Sequence, residues 1–200
     1  MQTFILFLLA ILALILVFIF FVIGIYNSLI RCRNQFKNAY AQIDVQLQRR
    51  YELIPNLVET AKKFMKHEQD TLERVIQARN QAMQINLSLA DDPANTQMIG
   101  QLMEAEKILS QGLAKLMAVA ESYPELKSDV TMNNLMEELT STENKVSFAR
   151  QAFNDSVMIY NNKVEEFPNN VLAGMFNFSM AKQLQIADEK MKDAVKVDFS

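Results

Sequence analysis

Residues 4–23 read FILFLLAILALILVFIFFVI, a run of twenty apolar side chains without a charge. At ~1.5 Å of rise per residue, a helix of this length spans ~30 Å, the thickness of the hydrocarbon core of a bilayer. Residues 1–3 carry no basic side chain, and residues 24–27, Gly-Ile-Tyr-Asn, do not form the small-x-small pattern of a cleavage site. We therefore predict an uncleaved transmembrane anchor rather than a signal peptide.

The rest of the chain has the composition of one helical domain. The whole sequence contains only four Gly, four Pro and no Trp, and it is rich in residues that favour helices. A net charge of -3 provides no basic surface for phosphates, so we expect no nucleic-acid partner. The single cysteine, Cys32, excludes an internal disulfide. Palmitoylation of Cys32 is an alternative to the simpler interpretation, a small residue at a helix interface.

Basic residues follow the apolar run on its C-terminal side. Arg31, Arg33 and Lys37 lie there, whereas the other side has only the α-amino group. The positive-inside rule thus predicts an N-terminus outside the cell and a cytoplasmic body.

The first helix is predicted to continue from the span into the body. No Gly or Pro interrupts residues 25–54, and apolar residues recur there at helical spacing, namely Phe36, Tyr40, Ile43, Leu47 and Ile54. Pro55 lacks an N–H group and disfavours helical geometry at the preceding residue. We therefore expect the first helix to end at Ile54 and a second helix to start at Pro55.

The second helix is expected over residues 56–89, on the stripe Leu57, Ala61, Phe64, Val75, Ala78, Ala82, Ile85 and Leu89. Glu68 and Thr71 interrupt this stripe, a gap that we interpret as setting the register of packing. Asp92 and Pro93 have the residue types of an N-cap and a first helical position, and predict a third helix that ends near residue 121. Gly112 lies inside that helix, where it costs ~1 kcal/mol relative to Ala unless a neighbouring helix packs closely there.

The fourth helix has the most regular pattern. Asp129 or Thr131 can cap it, and Pro168 ends it after about 36 residues. Its heptad-like seam comprises Leu135, Leu139, Thr142, Val146, Ala149, Phe153, Ser156 and Tyr160. Packing inside the chain and an intermolecular coiled coil both explain this seam.

Four long helices with short connections predict an all-α fold, in which the transmembrane helix continues into an antiparallel up-and-down four-helix bundle. We assign residues 1–26 to the anchor, 27–168 to the bundle and 169–200 to a C-terminal apolar turn and short tail. Because successive helices alternate in direction, we expect the turn at residues 167–170 to lie at the level of Asn27.

The C-terminal turn is followed by an apolar stretch with Val171, Leu172, Ala173, Met175, Phe176, Phe178 and Met180. About ten residues are too few to span a bilayer, but they suit a position in its interface. Packing against the bundle or a neighbouring subunit is the alternative. The lysines after it, Lys182, Lys190, Lys192 and Lys196, are offset by acidic residues, so Arg31, Arg33 and Lys37 would dominate attraction to anionic lipids.

Two long blocks of sequence are IDVQLQRRYELIPNLVETAKKFMKHE at residues 43–68 and ELTSTENKVSFARQAFNDSVMIYNNKVEEFPNNVLAGMF at 138–176. Both blocks resemble the LemA family of bacterial membrane proteins. Shorter matches are the YNSL stretch at 26–29, Ala78-Arg79 and the closing Val197-Asp198-Phe199. Residues 176–180, FNFSM, depart from the Gly-Phe-Lys-Pro-like stretch that is frequent in the family.

The resemblance implies a single-pass anchor in the bacterial inner membrane and a helical bundle. It supplies no activity, because LemA proteins have no established reaction. Proteins similar to this family have been linked to the organisation of internal membranes such as magnetosomes, and others are encoded near membrane metalloproteases.

Motifs that carry chemistry are missing from the sequence. It has no P-loop, dinucleotide fingerprint or H-E-x-x-H motif, and its one histidine, His67, has no second histidine to share a metal. We expect His67 to be a surface residue of a hairpin. Arg49 and Arg50, with Glu52 and Glu59, could grip an anion, but a solvated helix tip explains them better. The twelve methionines are interpreted as core filler rather than a peptide-binding groove.

We therefore predict no catalytic, cofactor-binding or metal-binding residues, and no cofactor. The favoured function is a non-enzymatic scaffold or adaptor whose partners are the lipid bilayer, further copies of itself and other membrane proteins. Homo-oligomers are expected because anchored bundles lose less freedom on association than free ones. The alternative is an enzyme or an accessory subunit, for example a regulator of a membrane protease.

Overall fold

The first helix, α1, runs from Gln2 to Lys62 in the computed structural model, which describes residues 1–184. Its 61 residues correspond to a rod of ~92 Å at ~1.5 Å per residue. The side chains of residues 4–21 are all exposed, whereas one face of the helix is buried further along, at Ile25, Leu29, Phe36, Tyr40, Ile43 and Leu47. The predicted continuity between the apolar span and the body is confirmed.

The predicted helix break at Pro55 is wrong, because α1 passes through this residue. Pro55 cannot donate to the carbonyl of Tyr51, one turn earlier, but the Nε of Arg79 donates to that oxygen at 2.9 Å. The chain turns only at residues 63–68, around the fully buried Met65. Glu68 is the N-cap of the next helix. The polar residues Glu68 and Thr71 in the second stripe therefore lie at the turn between α1 and α2 or directly after it.

The helices that follow are α2 (Gln69–Asp91), α3 (Thr96–Ala120), α4 (Pro124–Lys127), α5 (Val130–Glu165) and α6 (Asn169–Met175). Every regular element within residues 1–184 is thus helical, which confirms the all-α class. α5 packs along α1, and α2 packs against both α3 and α1. With 23 residues, α2 is shorter than predicted because α1 keeps residues 56–62.

The predicted cap of the third helix is also wrong. Asn95, not Asp92, caps α3 by accepting the backbone N–H of Met98 at 3.1 Å. Pro93 is buried in the preceding turn. The end of α3 at Ala120 agrees with the prediction near residue 121.

Gly112 lies where α3 approaches α2. A Cβ atom added at Gly112 would lie 3.6 Å from the Cγ2 of Val75, an ordinary van der Waals contact. A neighbouring helix therefore packs against Gly112, but at a distance that an alanine would also allow.

The long helix α5 has the predicted length of 36 residues and starts at the cap formed by Asp129, which accepts from Met132 N at 2.8 Å. Its seam packs within the chain, since the ring of Phe153 contacts the rings of Phe36 and Tyr40 of α1. The two polar seam residues, Thr142 and Ser156, are buried. Each hydroxyl donates to the carbonyl four residues earlier at 2.8 Å, so neither is left unsatisfied.

After α6 the chain continues as an extended segment, residues 178–184, along α5. The tail lysines at 190, 192 and 196 and the closing Val197-Asp198-Phe199 lie outside the described residues.

Candidate functional site

A partly buried polar cluster, the Arg50 network, consists of Arg50, Tyr51, Glu106, Ser110 and Glu143. The Arg50 side chain comes from α1 and is only 4% exposed. Its Nη1 contacts Glu106 Oε2 at 2.9 Å, and its Nη2 lies 3.0 Å from both Ser110 Oγ and Glu143 Oε2. Tyr51 donates its hydroxyl hydrogen to the other oxygen of Glu106. The network therefore joins α1 to α3 and α5.

The expectation of a helix tip is wrong for both arginines, which lie inside α1. The expectation of solvent exposure is wrong for Arg50 and correct for Arg49, which pairs with Glu138 and Glu52. Glu59 pairs with Lys62, away from both arginines. The helix turn lies at residues 63–68 rather than at Pro55, so Arg50 faces neighbouring helices instead of solvent.

Burial dominates the electrostatics of this network. It raises the pKa of Glu106, against the opposing effects of the Arg50 cation and of the hydrogen bond from Tyr51, while the nearby Glu143 raises it further. Burial also raises the pKa of Tyr51, reinforced by the charge of Glu106. Tyr51 therefore keeps its proton at neutral pH and remains a donor.

A second polar connection joins α1 to α2. The hydroxyl of Tyr40 donates to Asn86 Oδ1 at 2.8 Å, and Asn86 Nδ2 donates to Asp44 Oδ1 at 2.6 Å. Asn86 is fully buried, and burial raises the pKa of Tyr40, followed by the effects of Asp44 and Glu106. In the Arg50 network and in the Tyr40–Asn86–Asp44 connection, the polar side chains bind one another across different helices. These contacts hold the helices together.

Within residues 1–184, no group of three or more His, Cys, Asp or Glu side chains is arranged to hold a metal ion. His67 is exposed in the connection between α1 and α2, as predicted. Cys32 is a free thiol, partly buried against the core, in agreement with a small residue at a helix interface. The interpretation of the methionines as core filler applies to only some of them. Met65 and Met132 are buried in the core, whereas Met158 is exposed.

The end of the body nearest the apolar span holds the anchor-proximal cluster, Tyr26, Arg33, Tyr160, Phe176 and Phe178. The ring centroid of Tyr26 lies 5.0 Å from that of Phe176 and 5.7 Å from that of Phe178. The Arg33 guanidinium carbon lies 5.2 Å from the Phe178 centroid. These contacts confirm that the C-terminal turn returns to the level of Asn27.

Two asparagines of α5, the asparagine pair Asn154 and Asn161, hold the extended segment. Asn161 accepts from the N–H of Ala181 and donates to its carbonyl, both at 2.9 Å. Asn154 makes the same two bonds with Leu184, at 2.8 and 3.0 Å. The seven residues from Asn154 to Asn161 rise ~10.5 Å along the helix, close to the ~10 Å that three extended residues cover from Ala181 to Leu184. Each asparagine therefore lies opposite its backbone partner. Sequence reasoning missed this pair, although its spacing of seven was visible.

Known proteins similar to this chain include two magnetosome proteins. The chain is 23% identical over 175 residues to "Magnetosome protein MamQ 2" of Paramagnetospirillum magneticum, covering 80% of this chain and 64% of that protein. It is 25% identical over 180 residues to "Magnetosome protein MamQ" of Magnetospirillum gryphiswaldense, covering 82% and 65%. The chain thus spans slightly less than two thirds of the length of these relatives.

The resemblance noted in the two long sequence blocks is confirmed at the level of the family. The profile described as "LemA family" matches residues 39–199, which include the Arg50 network, the asparagine pair and the part of the anchor-proximal cluster beyond Arg33. That match covers most of the 200-residue chain, and the protein is therefore a member of the LemA family.

Proposed function

We propose that this protein is a non-enzymatic scaffold or adaptor anchored in a membrane by residues 4–23. One observation carries the proposal: α1 is a single helix that is apolar and exposed at one end and is a packed core helix at the other. The anchor and the core of the body are thus one rod. We further propose that α1, α2, α3 and α5 form an up-and-down four-helix bundle.

The absence of an enzymatic reaction is part of the proposal. Catalysis needs acidic, basic or nucleophilic groups that are free to meet a substrate. Glu106, Arg50 and Tyr51 instead bind one another, and Asn86 is enclosed between Tyr40 and Asp44. These contacts support a structural role for the buried polar residues.

Homo-oligomers and membrane-protein partners are the proposed binding partners. Bundles fixed at one height and in one orientation lose less freedom on associating than free ones. The body also exposes single large apolar side chains, among them Val45 and Phe148. The MamQ relatives are named magnetosome proteins, which supports a role in a membrane-associated assembly.

The proposed location is the bacterial inner membrane, with the N-terminus outside and the body in the cytoplasm. Arg31, Arg33 and Lys37 support this topology through the positive-inside rule. Protease treatment of intact spheroplasts tests it, because a cytoplasmic body is protected until the membrane is permeabilised. Digestion of the body from outside would contradict the orientation.

Two measurements test the function itself. Alkaline carbonate extraction should leave the full chain in the membrane fraction and release a variant that lacks residues 4–23. Crosslinking mass spectrometry in native membranes should then yield crosslinks between copies of the chain or to defined membrane proteins. Stoichiometric metal or a bound small substrate in the purified protein would favour an enzyme instead.

A further inference from the structure

The segment after α5 carries an exposed apolar surface beside the end of the membrane anchor. Residues 167–181 contain no charged side chain and are bounded by Glu166 and Lys182. Within this stretch α6 is apolar on two faces. Leu172 and Ala173 are buried against the body, whereas the opposite face is exposed.

We define the apolar collar as the exposed large apolar residues of this stretch, namely Phe167, Val171, Met175, Phe176 and Met180. Exposed patches of this kind mark contact surfaces. The position of the collar identifies the partner, because Phe176 contacts Tyr26, which is three residues beyond the last apolar residue of the span at Ile23. Three residues of helix rise only ~4.5 Å, so the collar lies beside the end of the span.

We propose that the apolar collar lies in the interface of the same bilayer that α1 crosses, as a second membrane contact. This inference rests on the proposed anchoring. An interfacial helix buries its apolar face ~5–10 Å into the boundary between headgroups and acyl chains, and a collar beside the end of the span lies at that boundary. α6 is held there by packing on α1 and α5, so the fold presents the collar already formed.

The residues around the collar fit this depth. Tyr26 is the kind of amphipathic ring that is enriched at membrane interfaces. No charge occurs between Ile23 and Arg31, and the first cations after the span, Arg31 and Arg33, come within about three helical turns of its end. Arg33 lies against Phe178, so a cation flanks the collar on the side of the body. Glu166, at the edge of the collar, is paired with Lys163.

Two contacts with the bilayer constrain α1 more than one. A single helix can tilt and rotate in a membrane, whereas a helix with a laterally attached apolar surface loses lipid contact when it tilts away. The collar would therefore restrict the tilt of the body relative to the membrane normal, and with it the height at which the body presents its surfaces to partners.

The sequence offers a direct test because it contains no tryptophan. Leu14, Met175 and Phe148 are nearly equally exposed in the structure, at 71%, 70% and 73%. Full-length Leu14→Trp, Met175→Trp and Phe148→Trp proteins are reconstituted in phosphatidylcholine–phosphatidylglycerol vesicles with or without brominated acyl chains. The Leu14 variant reports the span, the Met175 variant the collar, and the Phe148 variant a surface in the middle of α5.

We expect blue-shifted emission and clear quenching by brominated lipid for Leu14→Trp and Met175→Trp, and no quenching for Phe148→Trp. Quenching of the Leu14 variant without quenching of the Met175 variant would overturn the collar proposal and leave the anchor intact. Blue-shifted but unquenched emission at Met175 would overturn it as well, and would assign the collar to a protein contact. Failure to quench the Leu14 variant would contradict the anchoring itself. Val171→Trp, on the same face, provides a second reporter if Met175→Trp disturbs folding, which helix content by circular dichroism checks.

Discussion

Arg79 of α2 donates its Nε hydrogen to the backbone carbonyl of Tyr51 at 2.9 Å, and that carbonyl is the one that Pro55 leaves without an intrahelical partner. A proline inside a helix costs ~3 kcal/mol or more, partly through this lost bond. The guanidinium supplies the missing donor from a residue 28 positions away in the sequence. Arg79 therefore allows α1 to continue beyond Pro55 and also ties it to α2.

Replacement of Arg79 should destabilise the protein through the Tyr51 carbonyl. We expect Arg79→Met to lower the free energy of unfolding by ~1–3 kcal/mol, the cost of a buried acceptor without a partner. Denaturant unfolding in detergent, followed by circular dichroism, measures the loss. Arg74→Met, at an exposed position of the same helix, is the matched control and should have little effect. In a Pro55→Ala background, whose N–H can serve Tyr51, the Arg79 substitution should cost less. An equal cost in both backgrounds would refute the link.

Removal of the buried cation should be among the most damaging single substitutions in the body. Arg50→Met leaves Glu106 in a buried site without its countercharge, and breaking such pairs costs ~3–5 kcal/mol. The double substitution Arg50→Met with Glu106→Gln should recover part of the loss because no unpaired charge remains. Arg49→Met is the control, since Arg49 is exposed and its ion pairs are screened by water. Similar losses for Arg50→Met and Arg49→Met would show that the Arg50 network is not stabilising.

The raised pKa of Glu106 predicts a dependence of stability on pH. The folded protein holds this proton to higher pH than the unfolded chain, in which the carboxyl has its ordinary pKa of 4.5. The free energy of unfolding should therefore fall as the pH rises from about that value through the folded pKa of Glu106. Glu106→Gln should remove this part of the slope, measured as urea midpoints across the acidic to neutral range. Parallel pH profiles for the two proteins would contradict the assignment.

The asparagine pair should control the attachment of the extended segment. Asn154→Ala with Asn161→Ala removes the two bonds to Ala181 and the two to Leu184, each with a net worth of ~1 kcal/mol. We expect faster amide hydrogen exchange at Ala181 and Leu184 and faster tryptic cleavage after Lys182, without loss of helix content. Asn162→Ala, at the exposed neighbouring position, should leave both rates unchanged. Unaltered exchange in the double variant would indicate that apolar packing alone holds the segment.

The sequence by itself determined the features that depend on local properties. Hydropathy identified residues 4–23 as a candidate membrane span, and a period of 3.6 identified the buried faces of α1 and α5. Asp129, one of the two predicted caps, marked the start of α5. The return of the C-terminal turn to the level of Asn27 followed from counting helix directions, and Phe176 confirms it by contacting Tyr26.

Only the tertiary structure decided where α1 ends, which arginine is buried and where the chain runs after α6. Each outcome depends on a partner far away in the sequence. Arg79 satisfies the carbonyl that Pro55 frees, Glu106 compensates the charge of Arg50, and Asn154 and Asn161 bind the backbone of the extended segment. A proline in the sequence shows that one backbone hydrogen bond of a helix cannot form. Only the fold determines whether a distant residue donates a hydrogen bond in its place.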